Sequence, residues 1–396
     1  MLERIPLTKE ERKLRRAARR EKQRQANIGR ARKMHLARVE KERSGCSRPL
    51  AIQDEKPQLH VGCSGWFYWH WRGAFYPADL ATSRWFPHYA GRFETVELNA
   101  PFYSWPTVAT VESWIRQAGR RRFVYTVKVC ELITHIKRFA GTATLVRDFG
   151  LIADLLGRRM GCFLFQLPPS FHYTPARLKR ILGQLDHRRR NVVEFRHKSW
   201  WNETVYGAFR ETGTIFCSCS GRRLPDELIK TADDIYIRFH GVKTWYRHDY
   251  TIEELAGWAK RIGESKAKTV WAYFNNDRDG YAIKNARALS RLLRRGVQRG
   301  GGGESNQVER VAFLQPQEDG LMAARKKTAS RKSATPKKAG KRELMAPNGD
   351  KRYVRRDSKG RIAKSVEVGR SLSADRRRKA KGVAKRGQGD RGDERR

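Results

Sequence analysis

Eight short apolar runs recur through the middle of the chain, at Leu59–Cys63, Thr95–Leu98, Phe123–Val129, Cys162–Leu167, Val192–Phe195, Thr214–Cys217, Ile235–Phe239 and Thr269–Phe274. Between most of them the apolar residues fall at helical spacing, as in Val108–Ala118, Ala143–Leu156, Pro175–Leu185 and Ile252–Ile262. The runs are nearly continuous rather than alternating, which is the pattern of parallel strands covered on both faces. Eight strands alternating with helices over roughly 235 residues predict an α/β fold, a (β/α)8 TIM-like barrel. Two connections break the rhythm. The first is long and aromatic, and the sixth leaves little room for a helix; a doubly wound open sheet is the alternative.

The charge divides the chain further. The sequence has 396 residues and a formal net charge of +44. Residues 1–50 carry roughly 17 basic and 6 acidic side chains and residues 321–396 roughly 27 and 8, so about +30 of the total lies in the ends. Nearly all the Trp, Phe and Tyr lie between them, and only that segment can bury enough apolar surface to offset chain entropy. The predicted organisation is a basic arm at 1–50, a barrel at 51–298, a Gly-rich linker at 299–321 and a basic, mostly disordered tail at 322–396. Met34, Leu36 and Val39 are too sparse for a continuous core stripe, so the arm is expected to be an undocked charged segment, helical when bound or crowded. Both extensions are expected to be largely disordered. The tract after Met322 reads as a small basic module fused through the glycine segment.

Six cysteines are scattered, without a CxxC pair or the density of a disulfide framework. Cys217 and Cys219 supply two ligands at most, too few for a zinc site. Cysteine usage and the absence of a signal-like or membrane-spanning apolar run predict a soluble, cytoplasmic protein with no membrane partner.

A barrel collects function at the carboxyl ends of its strands. There the sequence delivers Ser64 and Trp66, Glu97 and Asn99, Lys128, Gln166, Glu194 with Arg196 and His197, Arg238 with His240, and Asn275. Charged groups inside apolar strands are costly unless paired. One reading is a buried ion-pair network that closes the barrel. The other is a site in which Glu97, Glu194 and His240 are catalytic acid/base groups, Lys128, Arg196 and Arg238 bind an anion, and Asn99, Gln166 and Asn275 orient polar substrate groups. If Glu194 is a strained functional carboxylate, Glu194→Gln leaves stability unchanged or raises it. A divalent cation between Glu97, Glu194 and an Asn or His is a minor alternative, and no metal site is assigned. The run Trp66-Phe-Tyr-Trp-His-Trp71 either caps the outer shell or walls the pocket, with Trp66 taken as a wall residue. No Gly-rich phosphate loop is present, and no cofactor is assigned.

These strand-end motifs, in order Gly62–Trp66, Phe75–Pro77, Glu97-Leu-Asn99 with Phe102-Tyr103, Ile133-Thr-His135, Leu164–Pro169, Glu194-Phe-Arg-His197 with Ser199-Trp200, Arg238-Phe-His-Gly241 and Tyr273–Asp277, resemble the DUF72 (YecE-like) family over residues 59–293. The resemblance implies a TIM barrel and no particular reaction. Ala100-Pro101 departs from the Ser/Thr residues the family usually has there. Two functions follow. The first is an enzyme, a hydrolase, lyase or isomerase, or a binder of a small ligand bearing phosphate or carboxylate. The second is a nucleic-acid-associated protein whose basic ends tether the barrel to DNA or RNA.

Overall fold

The computed structural model describes residues 8–45 and 57–299, together with short strands in the tail. The chain divides into two units, residues 1–307 and 308–396.

In the first unit, helix α1 (Lys9–Arg43) precedes eight parallel strands: β1 (Gln58–Cys63), β2 (Thr95–Leu98), β3 (Val124–Lys128), β4 (Met160–Gln166), β5 (Asn191–Glu194), β6 (Ile215–Gly221), β7 (Asp234–Gly241) and β8 (Thr269–Phe274). The crossover helices are α2 (Trp85–Ala90), α3 (Ala100–Tyr103), α4 (Val108–Ala118), α5 (Ala143–Leu156), α6 (Pro175–Leu182), α7 (Glu203–Thr212), α8 (Ile252–Glu264) and α9 (Tyr281–Arg299). Their starts are written in the sequence. Thr107, Thr174, Asn202 and Thr251 each accept a hydrogen bond from the backbone N–H three residues on, and Thr251 forms a reciprocal capping box with Glu254. The sixth connection, 222–233, holds no helix, as its length predicts.

The strand order is β1-β8-β7-β6-β5-β4-β3-β2, which leaves β1 and β2 as the two ends of the hydrogen-bonded sheet. Tyr89 of α2 spans that seam. Its hydroxyl accepts from the Cys63 N–H at 3.0 Å and donates to the Thr95 carbonyl at 3.0 Å. Gly62 permits the approach, because a Cβ there would lie 2.6 Å from the Thr95 carbonyl oxygen. The architecture is therefore a nearly closed (β/α)8 barrel.

Alternate strand residues point inward and fill the barrel: Cys162, Leu164, Val192, Ile215, Cys217, Cys219, Tyr236, Trp271 and Tyr273 form a core separate from the helix–sheet layer. Trp271 plugs the floor, stacked on His60 with ring centroids 4.1 Å apart. One tier higher, the Tyr273 hydroxyl meets Thr95 Oγ1 at 2.7 Å and Thr126 Oγ1 at 3.0 Å. The five described cysteines are free and buried, and Cys46 lies outside the described residues.

One expectation is corrected. The amino-terminal arm is a docked helix. Thr8 and Glu11 form its capping box, and its second half buries Asn27, Ala31, Met34 and Arg38. Arg38 Nε donates to Asp148 of α5 at 2.8 Å, with both side chains buried. Asn27 donates to the Tyr103 carbonyl at 3.0 Å and accepts from the Trp105 N–H at 3.0 Å. The docking stripe has the helical spacing of four, three and four residues, but half of it is polar, so a search for an apolar stripe misses it. Residues 10–22 remain exposed on every side of the helix.

In the second unit, β9 (Arg342–Met345), β10 (Arg352–Arg356) and β11 (Ile362–Glu367) form an antiparallel sheet in the order β11-β10-β9. Its register sets Leu344, Tyr353 and Val366 in one cross-strand row. The Gly-rich linker and the tract beginning at Met322 lie outside the described residues.

Candidate functional site

β7 carries Tyr236, Arg238 and His240 on its inward side, at the period of two that separates the faces of a strand. Arg238 lies at the centre, fully buried. Its Nη2 donates to Glu97 Oε1 of β2 at 2.6 Å and its Nη1 to Glu194 Oε2 of β5 at 2.6 Å. The second oxygen of Glu97 accepts from the Tyr236 hydroxyl at 2.6 Å. The second oxygen of Glu194 contacts Arg196 Nε and lies 3.4 Å from His240 Nε2. Every carboxylate oxygen of the pair therefore has a cationic or hydroxyl partner.

This pairing decides the charge states. Burial raises the Glu194 carboxyl, but Arg196 and Arg238 outweigh it and hold the group well below the usual carboxylate range. Burial, then Arg196 and Arg238, push His240 well below its ordinary value, so the ring is neutral. Arg196 Nη2 lies 3.0 Å from His240 Nε2, and the Asn275 amide lies 3.3 Å from Nδ1. It is the Asn275 Nδ2 group that faces Nδ1, so a neutral ring accepts from it there.

Lys128 closes the other side. Its side chain is only 8% exposed, and its Nζ lies 4.0 Å over the Phe102 ring. No carboxylate lies within ion-pair distance of it among the described residues. Burial, reinforced by Arg238 and opposed by Glu194 and Glu97, lowers its amine to about 7. His135, from the turn after β3, packs edge-on to Phe102 and is lowered to about 4 by burial and by Lys128. Gln166 Nε2 donates to the Leu167 carbonyl at 3.0 Å and lies 3.4 Å from His135 Nε2. At the rim, Asn99 donates to the Ser64 carbonyl at 3.1 Å, while its own Oδ1 is buried without a partner.

The structure thus brings Glu97, Lys128, Gln166, Glu194, Arg196, Arg238, His240 and Asn275 to one end of the barrel, with Asn99 beside them. Trp66 stands apart. Its ring packs edge-on to Phe86, and its carbonyl accepts from Tyr76. The aromatic run mainly clamps the exit of β8. Trp71 Nε1 donates to Asp277 Oδ1 at 2.6 Å, and His70 Nε2 pairs with Asp277 Oδ2 at 2.9 Å. The place between Glu97 and Glu194 considered for a divalent cation is filled by the Arg238 guanidinium. Glu194, Cys217 and Cys219 also cluster. That carboxylate is already engaged, and burial pushes the Cys217 thiol well up, away from the thiolate a metal needs.

Sequence reasoning missed several residues around the site. Tyr236 was detectable, because it shares the inward parity of Arg238. Phe102 and His135 stand within the family motifs but were assigned no role, and with Trp245 and Tyr246 they lie in helices or loops that no strand period reports. The Arg196 guanidinium stacks 4.9 Å from the Trp245 ring centroid, and Trp245 also packs on His240. Tyr103 and Tyr246 are exposed.

The sequence matches the family described as "Protein of unknown function DUF72" over residues 60–308. It is 24% identical over 271 residues to the UPF0759 protein YunF of Bacillus subtilis (strain 168), covering 59% of this chain and 94% of that one. A DUF72 family protein of Thermotoga maritima MSB8 superposes with a TM-score of 0.55 at 27% identity, over 60% of this chain and 99% of the other. A DUF72 family protein of Enterococcus faecalis V583 gives 0.52 at 18% identity over 60% and 96%, a likeness of fold alone. Since the matched segment is more than half of the chain and contains all eight barrel strands from His60 onward, the protein belongs to the DUF72 family.

Proposed function

We propose that the strand-end cluster binds a small ligand bearing carboxylate or phosphate and acts on it by proton transfer, as a lyase, isomerase or hydrolase does. The observation that carries this reading is Lys128. It is a buried amine, lowered to about 7, whose two neighbouring carboxylates are both committed to Arg238, so its protonated form has no internal counter-charge in the cluster. Charging an unpaired buried amine costs roughly several kcal/mol, and an anionic ligand would compensate that cost. Arg196 and Gln166 flank the same space and suit a planar anionic group. Lys128 titrates near 7, so part of it is neutral at physiological pH, and this supports a role as proton acceptor.

The test is a thermal-shift panel of small phosphorylated and carboxylated metabolites on the full-length protein and on Lys128→Met. Anions that raise the melting temperature of the parent and leave the variant unmoved support the reading. Equal shifts in both, or none in either, overturn it.

A second reading is favoured by α1. Its exposed half presents Lys13, Arg15, Arg16, Arg19, Arg20 and Lys22 along one side of the helix, spread over about half of its circumference, a surface suited to phosphate backbones. Gln23 and Asn27 of the same helix bind the Tyr103 carbonyl at 2.9 and 3.0 Å, so the basic segment begins at the rim of the site. Nucleic-acid association through this helix is compatible with the small-ligand reading.

A further inference from the structure

Lys128 differs from an ordinary buried lysine in what its neighbours are doing. A buried amine is usually kept protonated by a carboxylate. Here Arg238 draws one oxygen from each of Glu97 and Glu194, Tyr236 takes the second oxygen of Glu97, and Arg196 takes the second of Glu194. The carboxylates are oriented away from ion-pair reach of Nζ, while two guanidinium groups remain in the same cluster. On its other side Nζ lies over the face of Phe102. The strand end directs it to the barrel mouth, and His135 packs behind Phe102 as a neutral imidazole.

We propose that Lys128 is a nucleophile that forms an imine with a small aldehyde, ketone or 2-oxo acid that also carries carboxylate or phosphate. This rests on the anionic-ligand reading and deepens it, by assigning the ligand a carbonyl carbon and the lysine a covalent role. The amine's position near 7 supplies neutral Nζ at physiological pH, as desolvation and adjacent cations do for amine nucleophiles.

The step balances without an external oxidant or reductant. The Nζ lone pair adds to the carbonyl carbon as the C=O π pair moves to oxygen. One proton leaves nitrogen and one reaches oxygen, giving a carbinolamine. A second proton on that oxygen lets it depart as water while the nitrogen lone pair forms C=N. The net change is amine, carbonyl and one proton to protonated imine plus water, the extra proton being drawn from solvent. Water at the barrel mouth exchanges the protons, and Arg196 with Gln166 faces the ligand's anionic group. A protonated imine acidifies the adjacent C–H or C–C bond, which is the chemistry a lyase or isomerase requires.

The experiment is reductive trapping on the full-length protein. Glyoxylate and pyridoxal 5′-phosphate are each incubated with the protein across pH 6–9, reduced with borohydride, and the adducts are located by peptide mass spectrometry. The expected result is modification at Lys128 at least about tenfold above any surface lysine at pH 7, because an amine near 7 is half neutral there and a surface amine near 10.4 is almost wholly protonated. The adduct should be lost in Lys128→Met and suppressed by inorganic phosphate in the parent, a control that does not depend on the variant's folding. Modification spread over surface lysines with none at Lys128, while either compound still raises the melting temperature, overturns the imine and leaves the anion site standing. No adduct at Lys128 and no thermal response to any anion overturns both.

Discussion

Arg238 and Glu97 meet at 2.6 Å across the barrel, from strands β7 and β2 that do not pair with each other. With Glu194 on the other arm of the same guanidinium, the pair ties three strands together at the mouth. This reverses the effect expected for Glu194→Gln from the sequence alone. Removing one partner of a buried, hydrogen-bonded ion pair strands the other, and typically costs about 3–5 kcal/mol. Glu194→Gln and Glu97→Gln should each lower unfolding stability on that scale in urea titrations at pH 7. Arg238→Met should cost less at pH 5 than at pH 8, because an orphaned carboxylate can take up a proton at the lower pH. A neutral or stabilising Glu194→Gln would restore the view of a strained, unpaired carboxylate.

The inward face of the barrel was legible because strand parity is a local property. Once Ile235–Phe239 reads as a strand, Arg238 and His240 must share a side, and likewise Glu97 with Asn99 and Glu194 with Arg196. Partner choice is not local. Nothing along the chain says that Arg238 takes both Glu97 and Glu194 and so leaves Lys128 alone. Trp66 shows the same limit from the other side: an aromatic residue just past a strand can turn to the pocket or to the helix layer, and Phe86 decides it. The docking of α1 was hidden because Asn27 and Arg38 do what apolar residues do elsewhere, and only their partners Trp105 and Asp148 make that visible.

Lys128→Met should behave oppositely to the carboxylate variants. It removes a desolvated amine with no acidic partner and keeps much of the side-chain volume against Phe102. A gain of roughly 1 kcal/mol in stability is expected, coupled to loss of any anion response, the trade expected of a functional position. Thermal melts with and without phosphate check both halves. A destabilised Lys128→Met would mean that the amine has a structural partner in solution.

Acid sensitivity should come partly from the barrel floor. His60 stacks on Trp271, its Nε2 lies 3.0 Å from Gln58 Oε1, and burial with the Arg190 charge lowers it to about 4. The folded value lies below the unfolded one near 6.5, so the unfolded chain binds more protons between them. The stability from a neutral His60 is complete above pH 6.5 and is lost progressively as pH falls toward 4. The full loss is about 3 kcal/mol. Urea titrations at pH 7 and pH 4.5 should show that difference shrinking in His60→Phe, which keeps the stack and removes the titration. An unchanged pH slope in the variant would assign the acid sensitivity to other groups.

The docked helix gives the last prediction, which separates anchoring from contact with a polyanion. Asn27 satisfies the Trp105 N–H and shares the Tyr103 carbonyl with Gln23, so Asn27→Ala leaves the buried Trp105 N–H unpaired, at about 1–3 kcal/mol. It should loosen α1, seen as faster proteolysis within 8–45 while the barrel stays resistant. Arg15, Arg16 and Arg19 lie in the exposed half and make no such anchor. Reversing all three to Glu should leave the barrel's melting temperature within about 1 °C, since surface substitutions away from caps and cores change stability little. It should weaken binding to duplex DNA or RNA and flatten the dependence of affinity on salt, because each phosphate contact contributes to that slope. Equal affinity and an equal salt slope in the triple variant would exclude α1 as the contact.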